Sequence, residues 1–236
     1  MTGPWLSVFP VLADATESAS WLSGGWWAVP LAYVVGATPF GFLAGKVKGI
    51  DIRQHGSGNI GATNVLRTLG KPIGITVLLL DVLKGLLPVL LAKWAAGPDG
   101  SVVAIAAAIA AILGHNYTFW LGFKGGKGIA TSAGAIAPLI PIPLAVALAG
   151  WILSFAVTRY VSIASLVAAI SLPITGAILM LKRGNWDVPI FIFTLFLAIM
   201  ATWRHRTNIQ RLLKGEESRF QPGKKKKEKP ADQPPV

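Results

Sequence analysis

Long apolar stretches alternate with short polar segments over most of the 236 residues. A bilayer core of about 30 Å needs about 20 helical residues and satisfies no loose backbone groups, so apolar length assigns the spans. Candidate spans run over 26–45, 72–92 and 101–121, the second opening with Pro72 where a first-turn N–H is unpaired anyway. The stretch 129–158 is too long for one span and is interrupted by Pro138, Pro141 and Pro143. It divides into a short helix ending near 139 and another starting near 142. Spans at 161–181 and 188–203, parted by the polar turn Lys182-Arg183-Gly184-Asn185, complete the set. The expected fold class is all-α integral membrane, a seven-transmembrane-helix bundle.

Composition agrees with that reading and narrows it. A net charge of +12 suggests an anionic partner, but only 14% of residues are charged and 53% are hydrophobic, which argues against a soluble nucleic-acid binder. The absence of cysteine excludes a disulfide scaffold, a thiolate nucleophile and thiolate metal or iron–sulfur sites. No HxxxH or HExxH spacing and few carboxylates near His55, His115 and His205 argue against a metal centre.

With seven spans, the segments 46–71, 121–128 and 158–160 share one side with everything after residue 203. That side holds every Lys and Arg except Lys84, Lys93, Lys182 and Arg183, so the positive-inside rule makes it cytoplasmic. Segment 1–25 contains Asp14 and Glu17 but no Lys or Arg, fitting a non-cytoplasmic N-terminus rather than a signal peptide. Three units follow: the N-terminal segment 1–25, a helical domain 26–217, and a basic tail 218–236 expected to be disordered and cytoplasmic. Asp81 and Lys84, at i and i+3 within a span, read as a neutralising pair facing the bundle.

The candidate chemistry lies in three polar segments on the cytoplasmic side: GSGNIGATNVLRTLGK at 56–71, GHNYTFWLGFKGGKGIAT at 114–131, and RHRTNIQRLLKGEE at 204–217. The first contains the letters GxGxxG but lacks the strand–turn–helix setting of a dinucleotide site. Its glycines can let amides converge on an anion, with Ser57, Asn59, Thr63 and Asn64 as neutral donors and Arg67 as a forked cation. A tight turn with ordinary polar decoration is the alternative. Around Gly125-Gly126-Lys127-Gly128 the P-loop spacing is not met, yet a lysine between glycines suits a phosphate. Against this stands a solvated positive-inside lysine. In the third segment His205 lies between Arg204 and Arg206, with Asn208 close to it on a helix. No serine-hydrolase elbow and no HxxxxD acyltransferase motif occurs. The residues alone therefore indicate an enzyme or a transporter for phosphorylated anions.

Taken together, the three segments resemble the motifs of the bacterial acyl-phosphate:glycerol-3-phosphate acyltransferase family, over about residues 26–217. Thr118 and Phe119 stand where that family usually has Pro-Val. The resemblance implies transfer of a fatty acyl group from acyl phosphate to the 1-hydroxyl of glycerol 3-phosphate, giving lysophosphatidic acid and phosphate, the first acylation of phospholipid biosynthesis. It implies no cofactor, a bacterial inner or plasma membrane location, a cytoplasmic active site, and contact with membrane lipids and with the soluble enzyme that makes acyl phosphate. Ser57, Arg67 and Lys127 are its firmest site positions.

Acyl phosphate is a mixed anhydride with a good leaving group, so positioning and charge neutralisation should dominate catalysis. Ser57, Asn59, Thr63, Asn64 and Arg67 are expected to position phosphate and glycerol, with Arg204 a further phosphate contact. Lys127 and the Gly125 and Gly126 amides are expected at the departing phosphate or oxyanion. His205 and Asn208 are expected to orient the attacking hydroxyl or relay its proton, a substrate phosphate oxygen being the other candidate base. The alternative function is a membrane transporter of organic phosphates, which would normally carry internal repeats and a midplane site.

Overall fold

The computed structural model describes residues 24–98 and 100–220. Expectations for residues 1–23 and 221–236 lie outside the described residues. Ten α-helices follow in order: α1 (Ala28–Gly36), α2 (Phe40–Val47), α3 (Ala62–Leu69), α4 (Lys71–Ala96), α5 (Ser101–Asn116), α6 (Ile129–Ile136), α7 (Pro141–Thr158), α8 (Val161–Arg183), α9 (Val188–Arg204) and α10 (Arg206–Leu213). The structure is all-helical, with five helices or helix pairs long and apolar enough to cross a membrane. The count reaches six if α9 and α10, bent by 56° at His205, form one.

The first span is broken where Pro39 removes a backbone donor. The carbonyls freed there find side-chain partners at depth: Thr118 Oγ1 donates to Ala37 O at 2.6 Å, and Lys84 Nζ donates to Thr38 O at 2.7 Å. The break between α6 and α7 falls where the prolines put it. Lys93 Nζ donates to the Pro138 carbonyl at 2.8 Å, satisfying one group released at that break.

Lipid gives helices little hydrophobic reason to associate, so close backbone packing does more of that task. Helices α4 and α6 meet backbone to backbone: a Cβ at Gly85 would lie 2.1 Å from Thr131 O, and one at Gly134 would lie 2.0 Å from Val82 O. Outward, Leu79, Leu87, Ile152, Leu153, Ile174 and Ile199 are exposed, as a lipid-facing surface requires. Exposed tryptophans occur towards both ends of the bundle, Trp120 and Trp203 at the motif end and Trp94 and Trp186 at the other.

The contact of Thr131 with Gly85 sets the depth of the glycine loop. Gly85 lies 14 residues into α4, roughly 20 Å along the helix from Lys71. Lys127, four residues before Thr131, is half-buried and not fully solvated, which disfavours the alternative of a solvated positive-inside lysine.

Candidate active site

The first motif is organised around one buried side chain. Asn64 Oδ1 accepts from the Ser57 amide at 2.8 Å, and its Nδ2 donates towards the carbonyls of Ile52, His55 and Asn59 at 3.2, 3.0 and 2.8 Å. Gly56 must be glycine here, with φ at +60° and no space for a Cβ, which would lie 2.2 Å from Asn64 Oδ1. The hydrogen bonds of Asn64, expected to position substrate, thus all run within its own loop, whose shape it holds. Asn59 Oδ1 accepts from the Gly61 amide at 2.8 Å at the start of α3, and its own amide hydrogens have no partner among the described residues. The hydroxyls of Ser57 and Thr63 likewise have no partner among the described residues. Among the described residues Arg67 makes one bond, from its guanidinium to Ser218 O at 3.3 Å.

The second motif turns back beneath itself. The Gly125 amide donates to Asn116 O and the Gly126 amide to His115 O, both at 3.1 Å. Their carbonyls accept from Arg204, whose Nε lies 3.0 Å from Gly126 O and whose terminal nitrogen lies 2.9 Å from Gly125 O. The Arg204 guanidinium also sits over the Tyr117 ring, 5.1 Å from its centroid. In this arrangement the amides of Gly125 and Gly126, expected at the departing phosphate, are paired with backbone carbonyls, and Arg204, expected as a phosphate contact, is bonded to the loop. Among the described residues the first-turn amides of α6, Ile129, Ala130 and Thr131, immediately after Lys127-Gly128, have no partner.

Lys127 donates to Asn208 Oδ1. Asn208 Nδ2 in turn donates to Glu217 Oε1 at 2.6 Å. Glu217 is also held by Ser162 Oγ at 2.8 Å and by Arg211 Nε at 2.8 Å. Burial would raise the Glu217 carboxyl, but the bonds from Asn208, Arg211 and Ser162 hold it below the usual carboxylate range. Burial pushes Lys127 down to about 8; Glu217 opposes this, while Arg211, Arg204 and Arg67 add to it. Burial also lowers Arg67, opposed by Glu217 and reinforced by Arg211. Several cations thus gather around a single carboxylate that is itself fully bonded, an arrangement that calls for a further anion.

His205 terminates α9 and is buried. Its Nδ1 lies 2.8 Å from Ala201 O, so in the neutral ring that nitrogen carries the hydrogen and Nε2 keeps a lone pair. Next to the loop, an apolar crevice opens between α6, α7, α8 and α9, lined by Ile129, Ala133, Leu148, Trp151, Leu172 and Ala201. Among the described residues no three His, Asp or Glu side chains converge as metal ligands would.

Residues 26–215 match the family described as glycerol-3-phosphate acyltransferase. The chain belongs to that family. A glycerol-3-phosphate acyltransferase of Desulforamulus reducens is 50% identical over 196 residues, which are 83% of this chain and 94% of that protein. Its counterpart in Aquifex aeolicus is 42% identical over 192 residues, covering 81% of this chain and 97% of the relative. Among solved structures, PlsY (YgiH), an integral membrane glycerol 3-phosphate acyltransferase crystallised in its glycerol 3-phosphate form, superposes with a TM-score of 0.75 at 39% identity. The match covers 84% of this chain and 96% of that one. The lysophosphatidic acid form gives a TM-score of 0.73.

For this acyltransferase, the second and third polar segments read from the sequence meet through Lys127–Asn208 and Arg204–Gly126, and Arg67 of the first bonds Ser218, just past the third, within the electrostatic reach of Glu217 and Arg211. Ser162 and Arg211 were not anticipated. Ser162 begins α8, far from any motif in sequence, and no local signal marks it. Arg211 lies one turn beyond Asn208, a spacing that can bring both onto one helix face. The turn after His115, where Thr118 departs from the family's usual proline, is fixed by the Thr118 bond to Ala37 O.

Proposed function

We propose that the protein transfers a fatty acyl group from acyl phosphate to the 1-hydroxyl of glycerol 3-phosphate, as the first acylation of phospholipid biosynthesis. The hydroxyl oxygen attacks the acyl carbonyl carbon, the carbon–oxygen bond to phosphate breaks, and phosphate leaves with the electron pair. The displaced proton ends on the departing phosphate. No cofactor takes part.

The observation that carries this reading is Lys127, held by the Asn208–Glu217 relay, next to the unpaired first-turn amides of α6 and beside the apolar crevice. Lys127 and those amides stabilise one phosphate. Arg67, Ser57, Thr63 and the Asn59 amide group bind the other, and the acyl chain lies in the crevice. His205 Nε2 accepts from the attacking hydroxyl and orients it; Asn208 acts through Lys127. Gly125, Gly126, Arg204 and Asn64 shape the site from behind.

The short α6 and the longer α7 together add two crossings, so the bundle has seven spans. Its N-terminus lies outside and its motif end faces the cytoplasm of a bacterial inner or plasma membrane, the side favoured by the Lys and Arg distribution. There the soluble enzyme that makes acyl phosphate can deliver its product.

Purified protein in detergent micelles, given labelled glycerol 3-phosphate with either acyl phosphate or acyl-CoA, tests the donor. Lysophosphatidic acid is expected from acyl phosphate alone. Formation from acyl-CoA, or from neither donor, would overturn the proposal.

A further inference from the structure

Beneath the glycine loop lies a buried polar cluster that no step of the proposed transfer uses. Asp81 and Lys84 form an ion pair at 2.7 Å, their side chains 3% and 2% exposed. Lys84 also donates to Thr38 O at 2.7 Å and lies 5.4 Å from the centre of the Phe40 ring. Asp81 Oδ1 lies 3.8 Å from Nδ1 of the buried His115, too far for a hydrogen bond but close enough for the carboxylate to turn that edge of the ring towards itself. The opposite edge meets the loop. A Cβ built on Gly126 would lie 2.1 Å from His115 Nε2, and the three atoms nearest to it all belong to that ring. The backbone of the same histidine accepts from the Gly126 amide at 3.1 Å.

A buried ion pair rarely stabilises a fold more than well-packed apolar residues would, and charge at membrane depth commonly marks function. We propose that His115, oriented by the Asp81–Lys84 pair, is a positioning residue whose imidazole forms the floor under Gly126 and thereby fixes the reach of Lys127. Gly126 has no positive φ to account for its being glycine; the atoms a side chain there would meet first belong to the ring. Lys127 follows immediately in the chain, so a shift of the Gly126 peptide carries directly into the ammonium that Asn208 holds. The proposal rests on the assignment of Lys127 to a substrate phosphate.

The test measures kcat/KM for acyl transfer, with the thermal midpoint in micelles, for His115→Ala, Gly126→Ala, their combination, and the jointly neutralised Asp81→Asn/Lys84→Met. Each single variant and the neutralised pair are expected to lose tenfold or more in kcat/KM per folded molecule, assayed well below the midpoint of each. The His115→Ala/Gly126→Ala combination is expected to be at least as active as Gly126→Ala alone, because the new methyl occupies space the ring has vacated. A histidine that only fills space would leave kcat/KM of the folded molecules near wild type in His115→Ala. The proposal is overturned if the combined loss equals the product of the single losses, if the neutralised pair keeps wild-type kcat/KM, or if activity falls only with the midpoint. Should the neutralised pair fail to fold, the His115–Gly126 cycle decides by itself. Lys127→Ala in the same assay separates the two levels. Near-normal activity there removes the reading of Lys127, whereas an inactive Lys127→Ala beside an additive cycle removes only the role of His115.

Discussion

Raising the pH should switch off phosphate binding by Lys127 before any other cation of the site. Burial pushes this lysine down to about 8; Glu217 opposes the shift, and Arg211, Arg204 and Arg67 deepen it. The sign follows from which form works: the ammonium binds phosphate, so activity is present below about 8 and is lost as pH rises through it. At pH 9 about one enzyme molecule in eleven keeps the charge, so kcat/KM should fall roughly tenfold between pH 7 and pH 9. A phosphate monoester is already mostly dianionic above about pH 7, and the substrate contributes no limb there. Bound phosphate favours the ammonium, so the basic limb in kcat should lie at higher pH than the limb in kcat/KM. The assay is initial-rate acyl transfer in micelles across pH 6.5 to 9.5, an experimental range of about three units. Lys127→Arg stays charged throughout and should lose the basic limb, with a lower plateau because a planar fork does not replace a point charge. A wild-type profile flat to pH 9, or a limb that survives Lys127→Arg, would refute the reasoning.

Lys127→Ala, folded in detergent, should lose about 10²–10³ in kcat, as the loss of a donor to developing charge commonly does. Arg67→Ala should raise the KM for glycerol 3-phosphate roughly tenfold or more, measured with acyl phosphate saturating, because among the described residues its guanidinium makes a single contact, with Ser218 O. Asn64→Ala removes the centre of the first loop and leaves buried groups unpaired. It should destabilise the protein by about 2–4 kcal/mol, read by thermal or denaturant unfolding in micelles.

Apolar length located every long helix, because the bilayer's demand for paired backbone groups is written in consecutive side chains. The prolines at 138, 141 and 143 likewise announced the break between α6 and α7, and the i, i+3 spacing of Asp81 and Lys84 announced their pairing. The three motifs were visible as clusters of glycine, hydroxyl and cation. What each member does was less legible, because that depends on which hydrogen bonds the fold has already filled. Gly125 and Gly126 offer four backbone groups on paper, yet His115 O, Asn116 O and Arg204 take all of them. The amide of Asn64 resembles a substrate donor in sequence but is enclosed by its own loop. Ser162 reaches Glu217 across 55 residues, a meeting fixed by how α8 packs beside the third motif and by nothing local. The close approach of Gly85 to Thr131, four residues after Lys127, joins α4 to α6 in a way that no single segment encodes.

The central claim is that attack falls on the acyl carbon and not on phosphorus. Mass analysis of the products formed by purified enzyme from acyl phosphate and glycerol 3-phosphate tests it most directly. Lysophosphatidic acid with an equal amount of inorganic phosphate is expected; glycerol bisphosphate with free fatty acid, or no acylated product, would contradict it.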